Sequence, residues 1–499
     1  MRSQNVLILF FITTILHAGD FPFVLGSISI STDGVSSPLW VKKILSLKRG
    51  EEITETRLNE ALNRLNEAGR YRALEYQLAP LEKGKRDILL SIAIAPGEKL
   101  TPGEKIVIDR IDINGNWKTR RRVIMNEFLF DEGEEVSAEI IEESVQRVYN
   151  RNLFFETDWG LYRENGQTVM ELRLREKWTL FPVLFFQGDN QRLITYLGAL
   201  DGNVFGQGFF LMGNVTGTFV ENQDPRLDLA IRYAHPRLAA LPLKLQVYAG
   251  TESGLAYITE NEKRVNAFSQ RSQFINTRLT YEWANKFSAS LHLGFQHNQF
   301  IQSEAAAEGY KGWDMEHSIP GFGLGVALNR VNLSDQRRQG LMAETSARLW
   351  IPVQDAPYLK ASAEAQYHQI FAKKWLAFSS RIKLDYSSSP WPMYQINQEE
   401  YLRGGSSREY YSPLVMGINM ELSIALLRKN WMFLELASFF DFTLSGTSFA
   451  DSIQRTPMFR FGPGLRLSFP PVARFNLMLD WAITQNGKSE VYFGMIRYF

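Results

Sequence analysis

The sequence of 499 residues predicts a mainly β fold in which two small β-α-α-β-β domains precede a sixteen-stranded antiparallel transmembrane β-barrel. Three observations predict it. An amphipathic segment occurs twice in the first third, at an offset of 83 residues. From about Trp178 a period of two replaces the helical period, as in strands with one apolar and one polar face. The connections between those strands alternate between short turns and long polar stretches, the asymmetry of a barrel with a periplasmic and an external rim.

Residues 1–26 read as a secretory signal, with Arg2 in the charged region and an apolar core at Val6–Leu16. That core is too short to span a bilayer. Small residues suit cleavage after Ala18 or near Gly26 and Ser27. The net charge of +1 gives no electrostatic footprint for nucleic acid. There is no cysteine, hence no disulfide framework and no thiolate metal site. No later apolar run is long enough for a membrane helix. An exported chain held by core packing, sheet closure or lipid is what remains.

Two repeat units follow, over 27–97 and 104–177. In "LSLKRGEEITETRLNEALNRLNEAGRYRAL" and "FLFDEGEEVSAEIIEESVQRVYNRNLFFET", Gly50 aligns with Gly133 and Thr54 with Ser137. Leu58, Leu62 and Leu65 fall on Ile141, Val145 and Val148 at helical spacing, and Thr54 and Ser137 are placed to cap the helix starts. A strand pattern and a first helix precede each copy ("SISIST" and "PLWVKKIL"; "IVIDRIDING" and "TRRRVIMNEFLF"), and two strands follow it. A unit this small leaves an open sheet edge suited to capturing an extended peptide by strand addition.

The barrel is expected over 178–499. In "RLDLAIRYA", Leu227, Leu229, Ile231 and Tyr233 alternate with Asp228, Ala230 and Arg232, and "LKLQVYA" and "INTRLTYEW" repeat the pattern. "ANK" (Ala284–Lys286) reads as a short turn and Thr251–Gln270 as a long polar loop. At about 20 residues per strand with its connection, the segment holds about 16 strands. A soluble sandwich would alternate too, but export and the aromatic residues near strand ends favour a lipid-facing wall.

This arrangement resembles the outer-membrane assembly-factor superfamily that includes BamA and TamA, with POTRA domains before a sixteen-stranded barrel. "NVFGQG" (Asn203, Phe205, Gly206 and Gly208 among its residues) is similar to the family's early barrel signature, and "YAHPRL" and "FGPGLRLSFP" to its strand motifs. "LRGG" (Leu402, Arg403, Gly404, Gly405) resembles the Val-Arg-Gly-aromatic motif of the sixth external loop, which folds back into the lumen. Gly405 stands where the family has an aromatic; Tyr410 and Tyr411 are nearby substitutes. The resemblance implies that Arg403 meets an aspartate of a strand motif, which "FFD" (Phe439–Asp441) fits. Alternation then turns Asp441 and Phe439 to the lumen and Phe440 and Phe442 to lipid. The last strand resembles an outer-membrane sorting signal, with Gly494 and terminal Phe499, although Arg497 replaces a usual aromatic.

No Gly-x-Ser-x-Gly elbow and no His-Glu-x-x-His helix occurs, so no enzyme and no cofactor is expected. His292 and His297 lie five apart on one strand and point to opposite faces, poor geometry for a shared metal. The resemblance implies an outer-membrane protein insertase working with lipid, unfolded outer-membrane protein clients and periplasmic chaperones or accessory lipoproteins. Two-partner secretion is the alternative, weakened by the short span available for a plug helix before the first repeat strand. A passive channel or receptor is the third reading.

Overall fold

The structure, a computed structural model, describes residues 22–32, 41–42, 45–67, 71–80, 85–94, 97–188, 192–220, 226–238, 241–260, 263–283, 286–302, 315–334, 337–353, 355–371, 374–391, 394–397, 401–403, 411–472, 476–487 and 489–494. Most of the signal segment, Gly404, Gly405, Tyr410, Arg497 and Phe499 lie outside the described residues. The chain divides into two compact units, 1–176 and 177–499.

The first unit repeats one topology. In its first domain, strand Phe23–Thr32 lies parallel to Lys85–Ile94, which pairs antiparallel with Tyr71–Pro80. In the second, Arg110–Asn114 lies parallel to Gln167–Glu176, which pairs antiparallel with Phe154–Glu164. The helices Glu55–Glu67 and Ala138–Asn150 lay the expected stripes into the cores: Leu58 and Leu65 are buried with Leu25, Ile88 and Leu90, and Ile141, Val145 and Val148 with Ile111, Met170 and Leu172. The aligned glycines do one job twice. Gly50 (φ 84°) donates its N–H to the Leu25 carbonyl at 2.8 Å and Gly133 (φ 91°) to the Ile108 carbonyl at 2.7 Å. Only glycine takes that left-handed backbone without strain, and Leu25 and Ile108 are themselves one repeat apart.

Two details differ from the sequence expectation. The first strand begins at Phe23, four residues before the expected start of the domain, and Phe23 and Leu25 are core residues. Of the expected helix over 38–45, residues 41, 42 and 45 are described, and all three are helical. Thr54 caps its helix, accepting from the Arg57 N–H at 3.2 Å, but Ser137 does not cap its own. Ser137 is drawn instead to Glu139; that bond and the N–H of Gly103, at 2.9 Å, hold the Glu139 carboxyl below its usual range.

The second unit is one antiparallel sheet of seventeen strands. The piece Asn332–Ser334 is a three-residue side strand on Arg337–Gln339, because Met315–Asn329 pairs directly with Arg337–Trp350. Sixteen long strands remain, in simple sequence order: Leu180–Gly188, Arg192–Asp201, Phe210–Val220, Arg226–His235, Leu243–Glu260, Lys263–Glu282, Phe287–Gln302, Met315–Asn329, Arg337–Trp350, Tyr358–Phe371, Leu376–Ser387, Leu414–Arg428, Phe433–Gly446, Met458–Ser468, Asn476–Thr484 and Ser489–Gly494. The sheet curls upon itself, for the Trp178 N–H before the first strand donates to the Pro471 carbonyl, between the fourteenth and fifteenth, at 2.6 Å. Among the described residues the first strand is not paired with the last.

Burial is inverted relative to a water-soluble protein. Leu227, Leu229, Ile231, Leu291, Leu293, Phe322 and Leu324 are exposed, while His292, Gln366, Asn419, Glu435 and Asp480 are buried. Apolar outside and polar inside is the arrangement that lipid selects in a membrane barrel. Of the expected polar loop over 251–270, the described residues 251–260 and 263–270 are instead paired strands of a hairpin arm, with pairing continuous in direction from Leu243↔Tyr281 to Glu260↔Lys263. Its strands of 18 and 20 residues exceed the roughly 9–11 residues that a bilayer requires. Polarity misled the sequence reading, because once a strand leaves the bilayer both its faces meet water.

Candidate functional site

The "NVFGQG" segment closes the short turn between the second and third barrel strands. Asn203 is fully buried, and its Oδ1 accepts from the Gly208 N–H at 2.7 Å. Asp201 Oδ1 accepts from the Asn203 N–H and from Thr179 Oγ1, both at 2.8 Å. Gly206 and Gly208 have φ of 71°. Phe205, at φ 51°, is 77% exposed, an apolar ring held outward on left-handed backbone. "YAHPRL" lies nearby, with the Phe209 ring stacked on His235 at 5.8 Å. "FGPGLRLSFP" runs through the end of the fourteenth strand, and Gly494 ends the described part of the sixteenth, opposite Met478.

The sixth external connection, between Leu376–Ser387 and Leu414–Arg428, enters the lumen. At its base Ile396–Asn397 pairs with Tyr411–Ser412. Tyr394 is buried, stacked on Tyr358 at 5.5 Å, with its hydroxyl 3.0 Å from His317 Nδ1. Deeper in sequence lie Tyr401, Leu402 and Arg403, all buried. The Tyr401 ring rests against Gly417, where a Cβ would come within 2.3 Å of Cδ1, and its hydroxyl donates to Asp385.

Arg403 makes the central contact. Its Nε lies 3.0 Å from Asp441 Oδ2, its Nη2 is 3.0 Å from Oδ1, and its backbone N–H donates to Oδ2 at 2.9 Å. Nη1 reaches Glu421 at 2.6 Å, and the guanidinium carbon sits 4.2 Å from the centre of the Phe439 ring. The arginine carbonyl accepts from Arg460 Nη1 at 3.0 Å. Asn419 Nδ2 bridges Asp441 Oδ1 and the Tyr401 carbonyl, at 2.8 Å each. Glu421 continues to Arg466 at 2.7 Å, and Arg466 to Asp480. Strand parity assembles this wall: Phe439 and Asp441 are buried and Phe440 is exposed.

Arg403, Arg460 and Arg466 balance Asp441, Glu421 and Asp480. Charges this deep are tolerated when paired and hydrogen-bonded, whereas an unpaired one is strongly destabilising. The arrangement ties the described end of the loop to the inner wall, with the Phe439 ring beneath the guanidinium. The sequence reading missed Glu421, Arg460, Arg466, Asp480 and Asn419. Each had a legible signal, a polar residue at lumen parity, but which of them share one patch depends on register across four strands. Outside this site, His292 and His297 point to opposite sides: His292 is buried beside Ser290, and His297 contacts Ser318 on the other face.

The Omp85 superfamily domain matches residues 203–495, more than half of the chain, and the surface antigen variable number repeat, a POTRA domain, matches 106–165. Among solved structures the chain is similar to CdiB from Escherichia coli, at 14% identity and a TM-score of 0.54, covering 97% of this chain and 92% of that one. It is also similar to CdiB from Acinetobacter baumannii (14%, TM-score 0.52, 95% and 89% covered) and to BamA from Haemophilus ducreyi lacking POTRA domains 1–3 (15%, TM-score 0.46, 94% and 98% covered). No curated protein matches it significantly. Membership implies an outer-membrane barrel with POTRA domains in the periplasm, and the matched span leaves the assignment plain: the chain belongs to the Omp85 superfamily.

Proposed function

We propose that this chain is an outer-membrane protein assembly and insertion factor, without enzymatic chemistry. Its POTRA domains hold incoming chains at sheet edges, and the seam between the first and last barrel strands admits a client strand to lipid. The observation that carries this reading is the condition of the two end strands. They are the two ends of the sheet order and are not paired with each other among the described residues. An unpaired strand edge in lipid leaves backbone groups unsatisfied, and an entering client strand satisfies them while burying its own apolar face. In the first POTRA domain Tyr71–Pro80 is likewise an edge strand, ten residues long, whereas the second domain's edge is partly covered by the bridge from Glu98 to Leu161.

Similarity of fold to the CdiB structures supports a second reading, a two-partner secretion transporter passing an unfolded polypeptide through the lumen. One experiment separates them. Reconstituted into liposomes, the chain is expected to speed the folding of a urea-denatured outer-membrane barrel. A large steady conductance or polypeptide translocation, with no acceleration of folding, overturns the insertion reading.

A further inference from the structure

The opposite wall of the lumen carries a second cluster that the tether does not use. The cross-strand registers set two rungs side by side. Arg232, Tyr248, Asn276, Gly294, Gly321 and Trp350 follow one another across six strands, and next to them run Ala234, Gln246, Arg278, His292, Gly323 and Arg348. The glycines hollow the wall. A Cβ at Gly294 or Gly321 would meet the Trp350 ring at 2.8 or 2.5 Å, so the indole lies over both, its Cζ3 side toward them and its Nε1 on the other edge. A cavity of about 410 Å³ results, lined by side chains from both rungs.

The lining is rich in donors and poor in acceptors of matching charge. Three guanidinium groups, Arg232, Arg278 and Arg348, line it, and no carboxylate does. Glu344 nearby pairs with Arg278 Nη2, at 2.7 Å, and lies within electrostatic reach of Arg348 without contacting it. Arg278 Nε and Trp350 Nε1 are both buried with no hydrogen-bond partner. Among the described residues Arg348 has neither a hydrogen-bond nor an ion-pair partner, and Arg232 has only the Tyr248 ring, at 5.2 Å. Buried donors left unmade are costly, and water alone would leave Arg232 and Arg348 without a contacting countercharge.

We propose that this cavity binds a phosphate group, free or as a phosphomonoester. The three lining guanidiniums contact one carboxylate between them, Glu344 on Arg278, and a phosphate of about −1.5 to −2 at neutral pH matches such a positive lining better than a carboxylate does. Guanidinium forks suit phosphate oxygens, and the indole N–H adds an uncharged donor. The volume leaves space for whatever the phosphoryl group is attached to. Two sources share this chemistry, free phosphate in the aqueous lumen and a phosphorylated lipid headgroup.

The test uses the full chain, folded in neutral detergent and titrated with inorganic phosphate at constant ionic strength while tryptophan emission and heat are followed. A parallel arm compares phosphatidylcholine vesicles with and without phosphatidic acid. Saturable binding is expected in at least one arm, and the arm in which it occurs identifies the source. Arg278→Gln and Arg348→Gln should each weaken it by about tenfold or more, the worth of a charge-assisted hydrogen bond. Trp350→Phe removes the indole N–H and the outer part of the ring but no charge, so it should weaken binding less than either arginine variant while abolishing most of the emission change. Heat-modifiable migration in gels establishes that each variant is folded. Absence of saturable binding in both arms overturns the proposal, as does undiminished binding by a folded Arg278→Gln/Arg348→Gln double variant.

Discussion

Arg403 holds Asp441 with both its side chain and its main chain, for the carboxylate oxygen that lies 3.0 Å from Nε also accepts the arginine's own backbone N–H at 2.9 Å. A substitution at 403 therefore removes the charge pair but leaves the backbone contact available, while a substitution at 441 removes both. The loop is tied through its backbone as well as through the arginine side chain.

Arg403→Ala should leave Asp441 and Glu421 facing each other with one countercharge fewer. Breaking a buried pair costs about 3–5 kcal/mol, and the expected outcome is faster proteolysis within the sixth loop while heat-modifiable migration persists. Arg403→Lys should fall between wild type and alanine, since lysine keeps the charge and loses the fork. Exchanging the pair, Arg403→Asp with Asp441→Arg, should recover little, because the new aspartate faces Glu421; adding Glu421→Gln should improve it. Protease protection equal to wild type in Arg403→Ala would dismiss the tether.

Gly417→Ala should loosen the same loop from a different side. Its Cβ would meet the Tyr401 ring at 2.3 Å, and overpacking of this kind costs about 1–3 kcal/mol. Tyr401→Phe loses only the bond to Asp385 and should be milder. Limited proteolysis of the two variants side by side checks the order; equal sensitivity would mean that ring packing does not hold the loop.

Asn203→Ala removes the acceptor that pins the Gly208 N–H, at an expected cost of about 1–3 kcal/mol for a buried donor left unmade. Asn203→Asp keeps an acceptor and should cost less. Gly208→Ala forces a side chain onto φ 71° and should destabilise whatever the space around it. The urea midpoint for loss of heat-modifiable migration reports all three, and an unchanged midpoint for Asn203→Ala would show that the turn is not held by this bond.

Gly160→Ala tests the second POTRA domain. A Cβ there would lie 2.7 Å from Gly97 Cα, where the bridge from Glu98 to Leu161 brings two backbones together. Backbone yields less readily than side chains, so separation of the 97–98 segment from the edge strand is expected, at about 1–3 kcal/mol. Hydrogen exchange at the Leu161 amide, which donates to the Glu98 carbonyl at 2.8 Å, should accelerate in the variant. Unaltered protection would place that contact outside the domain's stability.

Much of this molecule is written locally. The repeated amphipathic helices, the positive-φ glycines at 50 and 133, and the two-residue alternation that turns Asp441 inward each depend on neighbours within a few positions, and the side-chain period of a strand is the same wherever the strand lies. The pairing of Arg403 with Asp441 was reached from the sequence through family resemblance and parity together. Other features belong to the tertiary structure alone. The paired strands within 251–270 look like a polar loop, because outside the bilayer no apolar face marks a strand. Ser137 reads as a cap until Glu139 and Gly103 surround it. Glu421, Arg466 and Asp480 are scattered polar residues until register and sheet curl bring three strands to one height, and the Gly294–Gly321 hollow beneath Trp350 arises from the same register. Alternation determines which way a residue faces; only strand register and closure decide what it meets there.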